Sequence, residues 1–323
     1  MRVDTIRPPG LRRIIFAALM LAVAAGASCV SRQQPSSDAR PFVDELGRAV
    51  MVPAQPRRII SLAPSITETL FALGLEDRLI GVTSYCDYPP AATLKEVIGD
   101  TMRPSLEKII ALKPDLIIAS TASQLEQFIF KLDEMGIPVY ISNPRNIESV
   151  LASIMKIGEL AGASERANEV TQKLRSRVEA VQERVKERRR PGVFFILGTQ
   201  PLITAGGDSF INDLITRAGG RSISENEKSE YPQYSLETVM ASRPEVIFLQ
   251  SGDPELPDRL KQTPAALSGR VYQLDDNLII RPGPRIVDGL EQMAARIHPE
   301  AAESGFVPGP LSVVSCWERI AVP

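Results

Sequence analysis

Apolar and polar positions fall into two alternating stretches with one long helical pattern between them. Phe42 to Pro53 (FVDELGRAVMVP) alternates around Gly47 and predicts a small hairpin. Arg58 to Leu62 reads as a buried strand. Pro64 to Leu73 has helical spacing, Ser65 and Glu68 give a capping-box signal, and Gly74 ends it. Strands are predicted over Leu79–Thr83, Leu116–Ala119 and Val139–Ile141, and a helix over Gln124–Met135. Short apolar strands alternating with helices indicate an α/β fold with a mostly parallel sheet.

From Ile147 to Arg190 the strand signal disappears. Val170, Leu174, Val178, Val181 and Val185 form one apolar stripe among charged residues. The pattern predicts a helix over Ser164–Arg190, roughly 40 Å long at ~1.5 Å per residue, stopped by Pro191-Gly192. It is a strut between lobes or one arm of a coiled coil, and the shortness of the stripe favours the strut. Alternation then resumes. Strands are predicted at Val193–Leu197, Val246–Leu249 and Val271–Leu274, and helices at Ser209–Ala218, Ser235–Ala241 and Arg285–His298.

Residues 105–120 (SLEKIIALKPDLIIAS) recur at an offset of 130 as residues 235–250 (SLETVMASRPEVIFLQ), with six of sixteen positions identical. One copy on each side of the strut implies two similar α/β lobes with a cleft between them, where small ligands usually bind. The resulting organisation is an N-terminal lobe over 42–145, a helical linker over 146–190 and a C-terminal lobe over 191–298. The tail over 299–323, with Cys316 and Trp317, has no assigned role. The repeat also sets Glu107 and Glu237 at equivalent positions, each one turn inside a Ser-capped helix start. They favour the helix dipole there, or present two symmetric carboxylates to a two-fold symmetric partner.

Composition narrows the function. A net charge of -2, with no basic face or zinc-finger spacing, excludes a nucleic-acid partner. The single histidine, His298, reads as a helix-end residue, and there is no nucleophile elbow or Walker loop, so no enzyme is expected. One histidine is also too few for a bare transition-metal carrier. Gly206-Gly207-Asp208-Ser209 opens a helix and reads as a capped turn or, less simply, an anion site. Arg2, Arg7, Arg12 and Arg13 precede an apolar run from Ile14 to Ala27, which marks residues 1–28 as an export signal. A flexible tether over 29–41 follows. Cys29 comes directly after Gly26-Ala27-Ser28, a segment that resembles a bacterial lipobox although Gly26 stands where a larger aliphatic residue is usual. Cys29 is therefore the expected lipidation site. Cys86 and Cys316 are too isolated to make a framework, and no disulfide is expected.

The opening from Asp44 to Gly74 (DELGRAVMVPAQPRRIISLAPSITETLFALG) and Leu106–Ile118 (LEKIIALKPDLII) resemble the ABC-importer binding proteins whose lobes are joined by one long helix. The resemblance covers about residues 42 to 298. Within that class the chain is most similar to the cobalamin carriers. Ser84 to Pro90 (SYCDYPP) resembles their loop after the second strand, which implies ligand contact by Tyr85 and Tyr88. Tyr231-Pro232-Gln233 resembles a Trp-Pro-Gln stretch whose ring packs on ligand. Asn277 to Arg285 (NLIIRPGPR) resembles their loop before the last helix, with Arg281 facing ligand. Leu278, Ile279 and Ile280 replace aromatic residues there, and Thr101 also stands where the resemblance implies an aromatic. The resemblance also implies that Glu107 and Glu237 dock on the permease dimer. The expectation is a monomeric periplasmic or cell-surface lipoprotein that carries a corrinoid as cargo and uses no cofactor of its own. Tyrosine as an axial ligand would suit haem instead, and Arg103, Arg281 and Arg285 would suit an anionic ferric siderophore. A lipoprotein adaptor without ligand is the third class.

Overall fold

Two parallel sheets carry the fold, and the computed structural model describes them within residues 38–121, 126–251 and 255–302. The predicted leader, Cys29, most of the tether, and the tail beyond residue 302, with Cys316 and Trp317, lie outside the described residues.

A hairpin of β1 (Ala39–Val43) and β2 (Ala49–Pro53) leads in, turning at Gly47 with φ of 82°. The first sheet then forms from β3 (Ile59–Ser61), β4 (Leu79–Val82), β5 (Glu96–Val97), β6 (Leu116–Ser120) and β7 (Val139–Ser142), in the order β5-β4-β3-β6-β7, all parallel. Helices α1 (Pro64–Ala72), α2 (Leu106–Leu112) and α3 (Glu126–Glu134) connect its strands. The second sheet uses β8 (Gly192–Thr199), β10 (Arg221–Ser222), β11 (Val246–Gln250) and β12 (Val271–Leu274) in the parallel order β10-β8-β11-β12, with β9 (Leu202–Thr204) antiparallel on β8. Its helices are α6 (Phe210–Arg217), α7 (Leu236–Ser242), the one-turn α8 (Pro264–Leu267) and α9 (Asp276–Ile279), and α10 (Ile286–Ile297). Both sheets are the α/β type expected from the alternation.

The chain passes between the sheets through α4 (Ile147–Leu160) and α5 (Ser164–Val185), which pack on each other. At 22 residues α5 is about 33 Å long at ~1.5 Å per residue. It stops at Val185, five residues before the predicted end. Val185 is the last stripe residue and is buried. Beyond it Lys186 to Arg190 offers only charge, and Pro191 disfavours helix at Arg190. Leu174, Val178 and Val181 join one continuous buried cluster that takes in Leu70 and Val150 as well as Leu214, Phe248 and Leu290. That two-sided packing makes α5 a strut.

The repeated unit folds twice alike. Ser105 caps α2 by accepting from the Lys108 amide at 3.3 Å, and Ser235 caps α7 by accepting from the Thr238 amide at 3.1 Å. Each helix ends on a left-handed residue, Lys113 (φ 47°) or Arg243 (φ 48°), just before a proline that cannot extend it. Each then feeds the strand paired on both edges, β6 or β11.

The capping box expected at Ser65 and Glu68 is absent. Pro64 occupies the first helical turn and Ala63 is the cap, with no side-chain hydrogen bond. Glu68 is instead buried and bonded to the distant Arg285.

Candidate functional site

The loop after β4 is anchored from beneath. The Ser84 amide donates to the Gly99 carbonyl at 2.9 Å. Cys86 turns its thiol into the core, where Thr67 Oγ1 lies 3.1 Å and Thr83 Oγ1 3.2 Å from the sulfur, and Cys86 forms no disulfide. Pinning Cys86 inward leaves its neighbours outward. Tyr85 is 57% exposed, Asp87 is exposed and Tyr88 is half-buried.

Two arginines from the loop before α10 meet this surface. Arg285 donates from Nε to Glu68 Oε2 at 2.9 Å and from Nη2 to Glu68 Oε1 at 2.6 Å, a fork-to-fork pair. Both partners are sealed, Glu68 at 4% exposed and Arg285 at 7%. The Arg285 guanidinium also lies 3.9 Å from the centroid of the Tyr88 ring. Burial works against its charge, but the Glu68 carboxylate outweighs burial and raises the Arg285 pKa. Burial also pushes the Tyr88 hydroxyl up. Arg281 donates to both Asp87 oxygens, at 2.5 and 3.3 Å, and sits 3.6 Å from Glu68 Oε1. Asp87 feels some burial, but the Arg281 bond and charge hold its carboxyl below the usual range. Gly283 makes the approach possible. A Cβ there would lie 3.1 Å from the Ser65 carbonyl oxygen of α1.

A pocket of about 290 Å³ opens on the second sheet. Leu197 and Ile203 line it from the β8–β9 hairpin, Phe210 and Ile211 from α6, and Ile279 and Ile280 from the end of the short helix Asp276–Ile279, where a loop was expected. Tyr231, 50% exposed, covers it, and Gln250 at the end of β11 supplies an amide. Burial, then the charge of Glu230, raises the Tyr231 pKa. Glu230 pairs with Arg145, which follows the first sheet, so this edge is also bridged by charge.

Tyr85, Tyr88 and Arg281 thus share one ion-paired surface, while Tyr231 belongs to the adjoining pocket. Asp87, Arg145, Glu230 and Gln250 are not singled out by the sequence, and Glu68 is read there only as a capping residue. Glu68 carried a signal nonetheless, because a carboxylate on a helix buried from Ser65 to Phe71 requires a cation. Arg285, a candidate cation for a ferric chelate, is consumed by Glu68. The Gly206-Gly207 turn donates its own amides to the Glu230 and Glu227 carbonyls at 2.9 and 2.8 Å, which leaves the capped-turn reading. His298 is buried at the end of α10, with Nε2 3.2 Å from the Gly219 carbonyl oxygen.

Glu107 and Glu237 both occur in exposed first turns of the repeated helices. The helix-start amide and the Ser105 hydroxyl (3.0 Å) lower the Glu107 pKa. The helix-start amide and Arg259 lower that of Glu237.

A family model described as periplasmic binding protein matches residues 59–278. The vitamin B12-binding protein of Photorhabdus laumondii is 31% identical over 245 residues, covering 76% of this chain and 89% of that one. The crystal structure of a periplasmic vitamin B12 binding protein from Vibrio cholerae superposes with a TM-score of 0.68 at 28% identity, covering 77% of this chain and 98% of that one. A periplasmic heme-binding protein from Roseiflexus sp. RS-1 superposes with a TM-score of 0.69 at 26% identity, covering 76% and 99%.

Proposed function

The chain belongs to the periplasmic binding protein family, and from that premise we propose that it captures a cobalamin-type corrinoid and delivers it to an ABC importer. The observation that carries this reading is the apolar pocket of about 290 Å³ covered by Tyr231 and bordered by ion-paired arginines. A corrinoid is a broad ring edged with neutral amides. Its face suits the aliphatic wall and the Tyr231 ring, and its edge suits the Gln250 amide and the tyrosine hydroxyls. The pocket holds only part of such a ring, and Tyr85 and Tyr88 offer surface for the rest.

Three further assignments complete the proposal. Residues 1–28 direct export and Cys29 carries a lipid, which supports a periplasmic anchored protein with lobes over 42–145 and 191–298 and a linker over 146–190. Glu107 and Glu237 dock on the permease dimer. The lobes close only modestly around ligand, because α4, α5 and the ion pairs of Glu68, Asp87 and Glu230 already join them. Haem is the second reading, favoured by the haem-binding structural relative.

Titration calorimetry of Tyr231→Ala with cyanocobalamin tests the ligand site. Removing a ring that stacks on ligand weakens binding about three- to tenfold. Unchanged affinity removes Tyr231 from the site.

A further inference from the structure

Charge separates the ring compounds that such a cleft can take. A corrinoid edge is made of amides, whereas haem carries propionates. Three arginines lie on segments next to the pocket lining, and each meets a carboxylate of the chain itself. Arg281, next to Ile280 of the pocket wall, bonds both oxygens of Asp87. Arg285 spends Nε and Nη2 on Glu68. Arg145 pairs with Glu230, the neighbour of Tyr231. The Glu68–Arg285 pair is sealed, so it opens to a ligand only at the cost of unpairing buried charges. Asp87 is placed differently. Its side chain is 55% exposed while that of Arg281 is 14% exposed, so it covers a guanidinium that borders the cleft.

We propose that Asp87 is a specificity-determining residue, a built-in carboxylate that occupies Arg281 and makes the cleft select a neutral, amide-edged tetrapyrrole over a carboxylate-bearing one. The inference rests on the carrier reading above. An anionic ligand reaches Arg281 only by displacing Asp87. That exchanges one charge-assisted pair for another and leaves a displaced carboxylate nearby. A neutral ligand leaves the Asp87–Arg281 pair intact and meets no uncompensated charge.

The test titrates the purified full chain with cyanocobalamin and with haemin, and reads the ratio of the two dissociation constants. The wild type favours cyanocobalamin. Asp87→Asn removes the exposed carboxylate charge on Arg281, leaving only the buried Glu68 3.6 Å away, and shifts the ratio toward haemin about tenfold, the size of one charge-assisted bond. Adding Arg281→Gln removes the freed cation and returns the ratio to the wild-type value. Asp87→Ser repeats the test should the asparagine variant misfold, and circular dichroism checks that each protein is folded. A shift below threefold, with cyanocobalamin still bound by the wild type, overturns the inference and leaves the carrier reading standing. Binding of neither probe, or of haemin alone, by the wild type overturns both.

Discussion

Glu68 and Arg285 form the most demanding contact in the molecule. Both charges are removed from water, and the cost is offset only because two hydrogen bonds run in parallel and Arg281 adds a second cation 3.6 Å away. Removing one partner leaves the other buried and unpaired. Glu68→Gln therefore destabilises the fold by about 3–5 kcal/mol, read as a lower Tm and a lower urea midpoint. Replacing both partners, as in Glu68→Leu with Arg285→Met, costs less than the single change. If the single and double variants melt alike, the pair is not what stabilises this contact. The partners are 217 residues apart, so nothing local in the sequence joins them. The half-buried and exposed tyrosines were legible because an aromatic-rich loop closed by Pro89-Pro90 stands out from its surroundings. Asp87 lies in the same loop, but its role depends on an arginine 194 residues away.

At the scale of elements, most of the fold was readable because apolar runs end on strong stops. Gly74 ends α1, Gly136 follows α3, and Pro114 and Pro244 separate helix from strand in the two repeats. The strands missed were β5, β9 and β10, which have two or three residues and cannot display a period, and the helices missed, Pro264–Leu267, Asp276–Ile279 and Pro299–Ala302, are only one turn long. The paired helices α2 and α7 also carry a prediction about charge. Their glutamates have pKa values lowered from 4.5, first by helix-start amides and then by Ser105 or Arg259. A depressed carboxyl pKa contributes stability that is present above the unfolded value and lost as pH falls through the folded one. Both groups thus stay ionised to lower pH than a free glutamate, and carbon NMR checks this: both titration midpoints are expected below that of a free glutamate. The proposed docking then depends on ionised carboxylates. Charge reversal at both, Glu107→Lys with Glu237→Lys, lowers permease binding at least about tenfold, and added salt weakens the wild-type interaction. Permease binding that survives the double reversal removes the docking role.

For the whole molecule, the linker and the cleft belong to one mechanical arrangement. Apolar packing along α5 runs through one cluster from Leu70 to Leu290, and Arg177 on α5 bonds Asp288 and Glu291 of α10 at 2.6 Å each. Charge pairs at Glu68, Asp87 and Glu230 then cross the cleft itself. A lobe pair held at so many points positions its pocket before ligand arrives, which limits the ordering cost of binding. It also explains why the proposed ligand surface was only partly legible. Tyr231 and Arg281 belong to the second half of the chain and Tyr85 and Tyr88 to the first, and only the folded strut brings the two sets near each other.

A corrinoid held in this cleft is what the proposed carrier role requires. The most direct measurement incubates the purified protein with cyanocobalamin, removes free ligand by desalting, and reads the visible spectrum of the protein fraction. A cobalamin carrier retains a corrinoid spectrum at one ligand per chain. A colourless protein fraction, or retention of haemin with none of cyanocobalamin in the parallel trial, contradicts it.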